Sequence, residues 1–216
     1  MILPLRNPAD AEHAVGVVAA HLAARRLIAY PTETVYGLGS AADPESLANL
    51  AALKGRAPGK PFLLLVSSRG MAERSGLVFT SAADALAEAF WPGPLTLVLR
   101  GGEGRLPDLL RGPERGIAVR HTSHRGIARL IELLDYPLTS TSANRPGHAP
   151  AAGVEQVAEL FPEASADGML LLLDGGALGN VPPSTLVDCT GPAPQLIREG
   201  ALPRAELRRR VGRAAP

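Results

Sequence analysis

Cysteine is almost absent from this chain of 216 residues, which has only Cys189. A single cysteine excludes an intrachain disulfide and any cysteine-based metal cluster. Apolar runs are short as well, and the longest, such as 63–66 and 169–173, fall far below the roughly 20 residues that a membrane-crossing helix needs. No apolar segment followed by a small-residue cleavage site stands at the N-terminus. These absences predict a cytoplasmic protein without a membrane span.

Aromatic residues and lysine are also scarce. Aromatics make up 4% of the chain, which leaves few platforms for stacking nucleotide bases. The net charge of +1 argues against a protein held to nucleic acid by bulk charge. Lysine occurs only at Lys54 and Lys60, against twenty arginines, and the two residue types are not interchangeable at a site. Two lysines within one short segment indicate a local need for a compact ammonium group, with chance clustering as the alternative.

The apolar pattern predicts an α/β protein with a substantial core, since hydrophobic residues make up 46% of the chain. Helical spacing follows Asn7-Pro8 and Asp43-Pro44, which predicts capped helices, and Ser81 is predicted to cap another. Runs such as 61–66 and 95–99 predict buried strands. Because strands and helices alternate irregularly, we expect a mixed, twisted sheet with flanking helices. We expect a single domain over 1–216, with its core at about 10–200 and a basic C-terminal helix at 203–212.

The stretch at 30–39, YPTETVYGLG, combines strand-forming residues with polar side chains and glycines. Its hydroxyl and carboxylate groups belong to Thr32, Glu33, Thr34 and Tyr36. Gly37 and Gly39 permit a positive φ or a close approach of the backbone to another group. The segment also fits a GxGxxA dinucleotide pattern, but no acid ends the next predicted strand. The pattern indicates a strand end that points hydroxyls into a cleft, or a strand and bulge whose hydroxyls bond to their own backbone.

Three cations, Lys54, Arg56 and Lys60, follow the second predicted helix with no acid between them. Like charges this close repel each other unless they face water or a shared anion. A lysine point charge and an arginine fork together suit a polyphosphate. The segment is not a P-loop, because its spacing is one residue short and Pro61 stands where Ser or Thr is required. A solvated loop is the alternative.

Polar groups also end three later predicted strands. Strand alternation places Ser140, Ser142 and Asn144 on one side, where they could hold phosphate or ribose oxygens or form a capping turn. No GxSxG elbow surrounds Ser142. Arg120 ends a strand in a way that suits a carboxylate clamp, and Arg198 ends another.

Taken in order, these segments resemble the threonylcarbamoyl-adenylate synthase family, the YrdC-like domain in its short, single-domain type. The matching blocks are YPTETVYGLG (30–39), KGR and KP (54–61), WPGPLTLVL (91–99), AVR (118–120), STSAN (140–144), PSTLVD (183–188) and IREG (197–200). The resemblance implies an open, twisted mixed sheet around a positively charged cavity. It also implies that L-threonine, bicarbonate or CO2 and ATP are converted to threonylcarbamoyl-adenylate and pyrophosphate, for modification of an adenosine beside the tRNA anticodon.

Carried over by position, the resemblance implies two groups of site residues. The nucleotide group would be Lys54, Arg56, Lys60, Ser142, Asn144 and Arg198, with Lys54 and Arg56 offsetting phosphate charge during catalysis. The threonine group would be Thr34, Arg120, Ser140 and Ser184, with Arg120 binding the carboxylate. Mg²⁺ would accompany ATP, held mainly by phosphates and water, and a tRNA threonylcarbamoyl-transferase complex would be the partner. Leu65 and Pro150 depart from the family pattern, so contacts at those positions are not carried over.

Two other functions stay open at this point. One is a non-catalytic RNA-binding module that uses the cationic concavity and the arginine-rich C-terminal end, against which the few aromatics count. The other is a carbamoyl-transfer domain of the same fold with a different acceptor.

Overall fold

The computed structural model describes residues 1–56, 59–112, 114–212 and 216. The predicted cationic segment at 54–60 includes residues outside this set. The strands are β1 (Ile2–Pro4), β2 (Leu27–Tyr30), β3 (Gly37–Gly39), β4 (Leu63–Val66), β5 (Leu77–Val78), β6 (Leu95–Gly101), β7 (Ile117–His121), β8 (Leu138–Ser142), β9 (Leu170–Asp174), β10 (Thr185–Asp188) and β11 (Gln195–Arg198). The helices are α1 (Pro8–Ala23), α2 (Pro44–Lys54), α3 (Arg69–Arg74), α4 (Ser81–Phe90), α5 (Arg125–Leu134), α6 (Val154–Leu160), α7 (Pro162–Ala166) and α8 (Arg204–Val211).

The eleven strands of the described part form one mixed sheet. Its order is β1-β9-β2-β3-β8-β4-β7-β6-β10-β11, with β5 paired to β6. Strand β9 is parallel to both β1 and β2, β4 is parallel to β7, and β6 is parallel to β10. The other pairs, such as β3 with β8 and β4 with β8, are antiparallel. The predicted mixed α/β sheet is therefore confirmed.

The central strands carry different side chains on their two faces. Leu64, Val119 and Leu97 are neighbours on β4, β7 and β6, and each is fully buried. Helices α3 and α5 pack against β4, and α4 packs against β6. Successive strand residues point to opposite faces, so Ala118 and Val98 lie on the other side, which is free to border a cavity.

Two of the three residues predicted to cap helices do so in the structure. The Asn7 side chain accepts from the amides of Ala9 and Asp10, and Asp43 caps α2 in the same manner. The prediction that Ser81 caps a helix is wrong by one residue. Thr80 has the extended backbone of an N-cap, and its hydroxyl accepts from the amide of Ala83 at 3.2 Å.

Four short elements, β1, β5, α3 and α7, were not predicted. They have between two and six residues each, which is too few to show a full apolar period. Across the part of the chain that the structure describes, no helix is long and apolar enough to cross a membrane. The cytoplasmic location stays a prediction.

Candidate active site

A cavity of about 770 Å³ opens on the face of the sheet opposite α3, α4 and α5. Its floor consists of cross-strand neighbours: Asp188 lies beside Val98, which lies beside Ala118. Two positions after Ala118, Arg120 points to the same face of β7 and also lines the cavity. The floor therefore has an apolar centre with polar groups around it.

Positive charge dominates the side chains that line this cavity. The lining cations are Arg56, Lys60, Arg120 and Arg198, and the lining carboxylates are Glu114 and Asp188. The expected cationic cavity is therefore present. This charge balance suits an anionic ligand better than a neutral one.

Eight of the ten predicted site residues line the cavity. They are Thr34, Arg56, Lys60, Arg120, Ser140, Ser142, Ser184 and Arg198. Lys54 and Asn144 do not line it and lie behind Ser142, in contact with each other. The division of these residues between nucleotide and threonine stays a prediction.

The end of α2 explains why Lys54 and Arg56 reach different partners. Gly55 follows the last helical residue with a φ of 61°, in the left-handed region that favours glycine. The amide of Arg56 then bonds back to the carbonyl of Ala51 at 3.0 Å. This reversal sends the Lys54 side chain toward β8 and the Arg56 side chain toward the cavity.

Lys54 clamps the turn that follows β8. Its Nζ donates to the carbonyl oxygens of Ser142 at 2.6 Å and Asn144 at 2.5 Å, and to Asn144 Oδ1. These bonds use all three ammonium protons. Burial, followed by the nearby charge of Arg56, lowers the pKa of Lys54 from 10.5 to about 8. Lys54 therefore holds the turn that presents Ser142, whose hydroxyl also donates to Asn144 Oδ1 at 2.6 Å.

Neutral groups hold the Arg56 guanidinium at the cavity wall. It donates to Thr141 Oγ1 at 3.0 Å, to the Lys60 carbonyl at 2.8 Å and to the Pro61 carbonyl at 2.5 Å. It also lies 4.4 Å from the ring centre of Phe62. Sequence reasoning missed Thr141 on β8 and Phe62 just before β4, because neither has a spacing signal. The Arg56 guanidinium is therefore held in one orientation, and among the described residues it forms no ion pair with a carboxylate.

Arg120 is held by a carboxylate of this chain. Its Nη2 lies 2.7 Å from Glu33 Oε1, and the two side chains are 5% and 19% exposed. Both Nη atoms donate to Thr34 Oγ1 at 3.2 Å, and the Thr122 hydroxyl donates to Glu33 Oε2. Burial would raise the pKa of Glu33, but the Arg120 charge and these hydrogen bonds bring it below its ordinary value. Sequence reasoning singled out Glu33 as polar but gave it no partner.

The stretch at 30–39 divides between the cavity and the core. Thr32 and Thr34 line the cavity, whereas the Tyr36 hydroxyl donates to the Gly176 carbonyl at 2.8 Å. A Cβ on Gly39 would lie 2.3 Å from the Thr139 carbonyl oxygen. Because Gly39 belongs to β3, it is a close-packing position and not part of a dinucleotide-binding turn.

Arg198 and Ser184 form the wall next to Arg120. Arg198 Nη2 donates to the Ser184 carbonyl at 2.8 Å, and the hydroxyls of Ser184 and Thr96 are 2.8 Å apart. Burial, and then the charge of Arg120, lower the pKa of Arg198. Arg120 Nε donates to the Gly93 carbonyl at 3.2 Å, and the Thr185 amide donates to the adjacent Pro94 carbonyl at 3.0 Å, so Arg120 and Arg198 border the same end of the cavity. Neither of the departures from the family pattern, Leu65 and Pro150, lines the cavity.

The family model Sua5_yciO_yrdC, which carries the description "Telomere recombination", matches residues 21–200. The chain belongs to this family. This chain is 34% identical to a threonylcarbamoyl-AMP synthase from Pyrococcus abyssi, over 93% of this chain and 58% of that relative. It is 39% identical to a protein of the same name from Chromohalobacter salexigens, over 75% of this chain and 85% of the relative.

Among solved structures, this chain is similar to P. abyssi Sua5 complexed with L-threonine. The TM-score is 0.86 at 32% identity, covering 99% of this chain and 61% of that one. The chain thus spans about three-fifths of the P. abyssi relative. The family resemblance found in the sequence is confirmed.

Proposed function

We propose that this chain is a threonylcarbamoyl-adenylate synthase, which makes L-threonylcarbamoyl-adenylate and pyrophosphate from L-threonine, bicarbonate or CO2 and ATP. One observation carries the proposal: a cationic cavity has an oriented Arg56 on one wall and both Arg120 and Arg198 on another. The names of the curated relatives and the threonine complex of P. abyssi Sua5 support it.

The wall around Arg56 suits the phosphates of ATP. Arg56 presents a fixed fork, Lys60 adds a point charge, and Ser142 offers a hydroxyl. Lys54 and Asn144 would act from behind by fixing the turn that carries Ser142. Charge-assisted hydrogen bonds of this kind are strong and suit phosphate oxygens.

The end around Arg120 suits an amino acid. Arg120 and Arg198 supply cationic donors for a carboxylate, and Thr34 and Ser184 supply oxygens beside them. Ser140 lies on β8 at the same cavity. Threonine would bind here, with its amine directed toward the phosphate wall.

The proposed chemistry needs no covalent enzyme intermediate. The uncharged threonine amine attacks the carbon of CO2, one C=O π bond opens to leave an anionic oxygen, and the nitrogen passes one proton to water, which gives a carbamate. A carbamate oxygen then attacks the α-phosphorus of ATP in line, and the bond from that phosphorus to the bridging oxygen of the leaving pyrophosphate breaks. The Arg56 charge stabilises the developing negative charge, so catalysis is chiefly positioning and electrostatics.

Mg²⁺ is part of the proposal as the companion of ATP. Within the described ranges, no group of three or more His, Cys, Asp or Glu side chains could hold a metal ion. We propose that Mg²⁺ would be held mainly by the ATP phosphates and water, where it would neutralise phosphate charge. We further propose a cytoplasmic setting and a tRNA threonylcarbamoyl-transferase complex as the consumer of the adenylate.

Pyrophosphate release tests the proposal. Purified protein with ATP, Mg²⁺, threonine and bicarbonate should release pyrophosphate, and omission of either threonine or bicarbonate should abolish the release. Serine in place of threonine serves as the matched substrate control. Release that continues at the same rate without threonine would contradict the proposed function.

A further inference from the structure

The cavity-lining cations differ in whether this chain already neutralises them. Arg120 has a carboxylate 2.7 Å away, that of Glu33. Arg56, Lys60 and Arg198 take part in no ion pair among the described residues, although all three line the same cavity. Of the four lining cations, only Arg120 is therefore paired with a carboxylate among the described residues, and that carboxylate belongs to Glu33.

The net charge at the Arg120 end determines which kind of anion it matches. Arg120 donates to the Gly93 carbonyl and Arg198 to the Ser184 carbonyl, and these two segments are joined where the Thr185 amide donates to the Pro94 carbonyl at 3.0 Å. Arg120 and Arg198 therefore border the same end of the cavity, and with Glu33 included they hold one net positive charge. One positive charge matches one carboxylate. Without Glu33 the same end would hold two positive charges, which match a phosphate dianion.

Glu33 is also fixed well enough to set the geometry of Arg120. Its second oxygen accepts from the Thr122 hydroxyl, so one carboxylate joins β7 to the loop after β2. Arg120 in turn donates to Thr34 Oγ1 and, through Nε, to the Gly93 carbonyl at 3.2 Å. Glu33 itself does not line the cavity, so its influence on a ligand passes through Arg120.

We propose that Glu33 is a positioning residue that makes the Arg120 end selective for a carboxylate group over a phosphate group. It holds the Arg120 guanidinium in place and reduces the net charge of that end to one. The amino acid is thereby kept at one end of the cavity and the triphosphate at the Arg56 wall. This inference rests on the proposed function for the identity of the two ligands.

The direct test is Glu33→Gln, which keeps the shape of the side chain and removes its charge. Adenylate formation is measured by chromatography against threonine concentration, with and without inorganic phosphate. We expect the KM for threonine to rise about tenfold and inorganic phosphate to become an inhibitor competitive with threonine. The KM for ATP should stay within about twofold, because the Arg56 wall is unchanged. An unchanged KM for threonine with no competition by phosphate would overturn the proposal.

Two further variants separate charge from shape. Glu33→Asp keeps the charge and should resist phosphate as the wild type does. Glu12→Gln removes a carboxylate from the exposed pair with Arg129, whose atoms are 3.0 Å apart, and should match the wild type throughout. If Glu33→Asp and Glu33→Gln become equally sensitive to phosphate, side-chain shape is the cause and the proposal is wrong.

Glu33→Gln leaves the buried Arg120 without its carboxylate, and this variant would not be usable if it failed to fold. A second comparison covers that case. Arg120→Gln and the double variant Glu33→Gln/Arg120→Gln leave no unpaired buried arginine at this position. Without Arg120, burial raises the pKa of Glu33, so the two variants differ by one charge only where the pH is high enough to ionise Glu33. Titration calorimetry from about pH 6 to about pH 9 should therefore show inorganic phosphate binding more tightly to the double variant at the alkaline end. Equal affinities at every pH would overturn the proposal. A wild type that forms no adenylate would instead overturn the proposed function, and the phosphate comparison could still be made.

Discussion

Each basic side chain at the cavity has different partners, and these partners decide what its charge is available for. Arg56 is held by neutral oxygens and a ring, Arg120 by a carboxylate, and Lys54 by three oxygens of one turn. The sequence indicated these residue types as a site. The sequence did not indicate the partners of these residues. Lys54, for example, donates to the carbonyl of Ser142, which lies 88 positions further along the chain, and helix or strand spacing carries no information over that separation.

Arg56→Ala should abolish most of the activity while the fold stays intact. The guanidinium is the fixed cation of the phosphate wall, and removal of one such preorganised donor costs about 100-fold to 1000-fold in turnover. Steady-state kinetics with circular dichroism measure both effects. Arg69→Ala is the matched control, since Arg69 also lies over a ring, 4.9 Å from the centre of Phe79, but does not line the cavity. A fully active Arg56→Ala would show that the phosphates bind elsewhere.

Lys54 should make ATP binding sensitive to alkaline pH. Its pKa is lowered to about 8, so the ammonium is intact below that pH and loses a proton as the pH rises through it. The neutral amine has one donor fewer, which loosens the turn that carries Ser142 and Asn144. The KM for ATP should therefore rise above about pH 8. In Lys54→Arg, whose guanidinium stays protonated, that alkaline change should be absent; an identical change in both proteins would contradict this role.

Glu33 should stabilise the fold in a pH-dependent manner. Its pKa in the folded state lies below the ordinary 4.5, so its contribution is fully present above about pH 4.5 and is lost as the pH falls through the folded-state pKa. Loss of one partner of a largely buried ion pair costs about 3 kcal/mol in the free energy of unfolding. Urea denaturation of Glu33→Gln should show that difference at pH 7 and a smaller one at pH 3. A difference that does not change with pH would count against the ion pair as its source.

At the scale of elements, the helix end before Arg56 is the part that the sequence predicted best. Asp43-Pro44 marked the start of α2, and the helix was predicted to end at the cationic segment that begins with Lys54, which is where α2 ends. Both signals are local, because capping and a left-handed glycine depend on adjacent residues. The pairing of β8 with β3 and β4 depends on contacts between distant segments, so the sequence did not predict the strand order.

Gly55→Ala should damage both the fold and the phosphate wall. Alanine at a φ of 61° costs about 1 kcal/mol in the free energy of unfolding, and a shift of the turn would move Arg56. Chemical denaturation and the KM for ATP measure the two effects. Gly16→Ala is the control within α1, where an added Cβ has no neighbour within 4 Å; it should stabilise the protein slightly. A neutral effect of Gly55→Ala on both measurements would show that the turn tolerates other conformations.

Across the whole molecule, the two faces of the central sheet have different roles. One face of the central strands is covered by helices, and the other brings residues from Thr32 to Arg198 to one cavity. The family resemblance gave most of these residues their place in a common site. The Glu33–Arg120 pair, and the position of Lys54 behind the cavity wall, emerged only from the three-dimensional contacts.

The central claim is that this cavity joins threonine, a one-carbon unit and an adenylate. The most direct measurement is mass spectrometry of the nucleotide product formed from ATP, threonine and ¹³C-labelled bicarbonate by the wild-type protein. The account predicts a threonylcarbamoyl-adenylate that carries the ¹³C label and forms only when all three substrates are present. An adenylate that lacks the label, or one that forms without threonine, would contradict it.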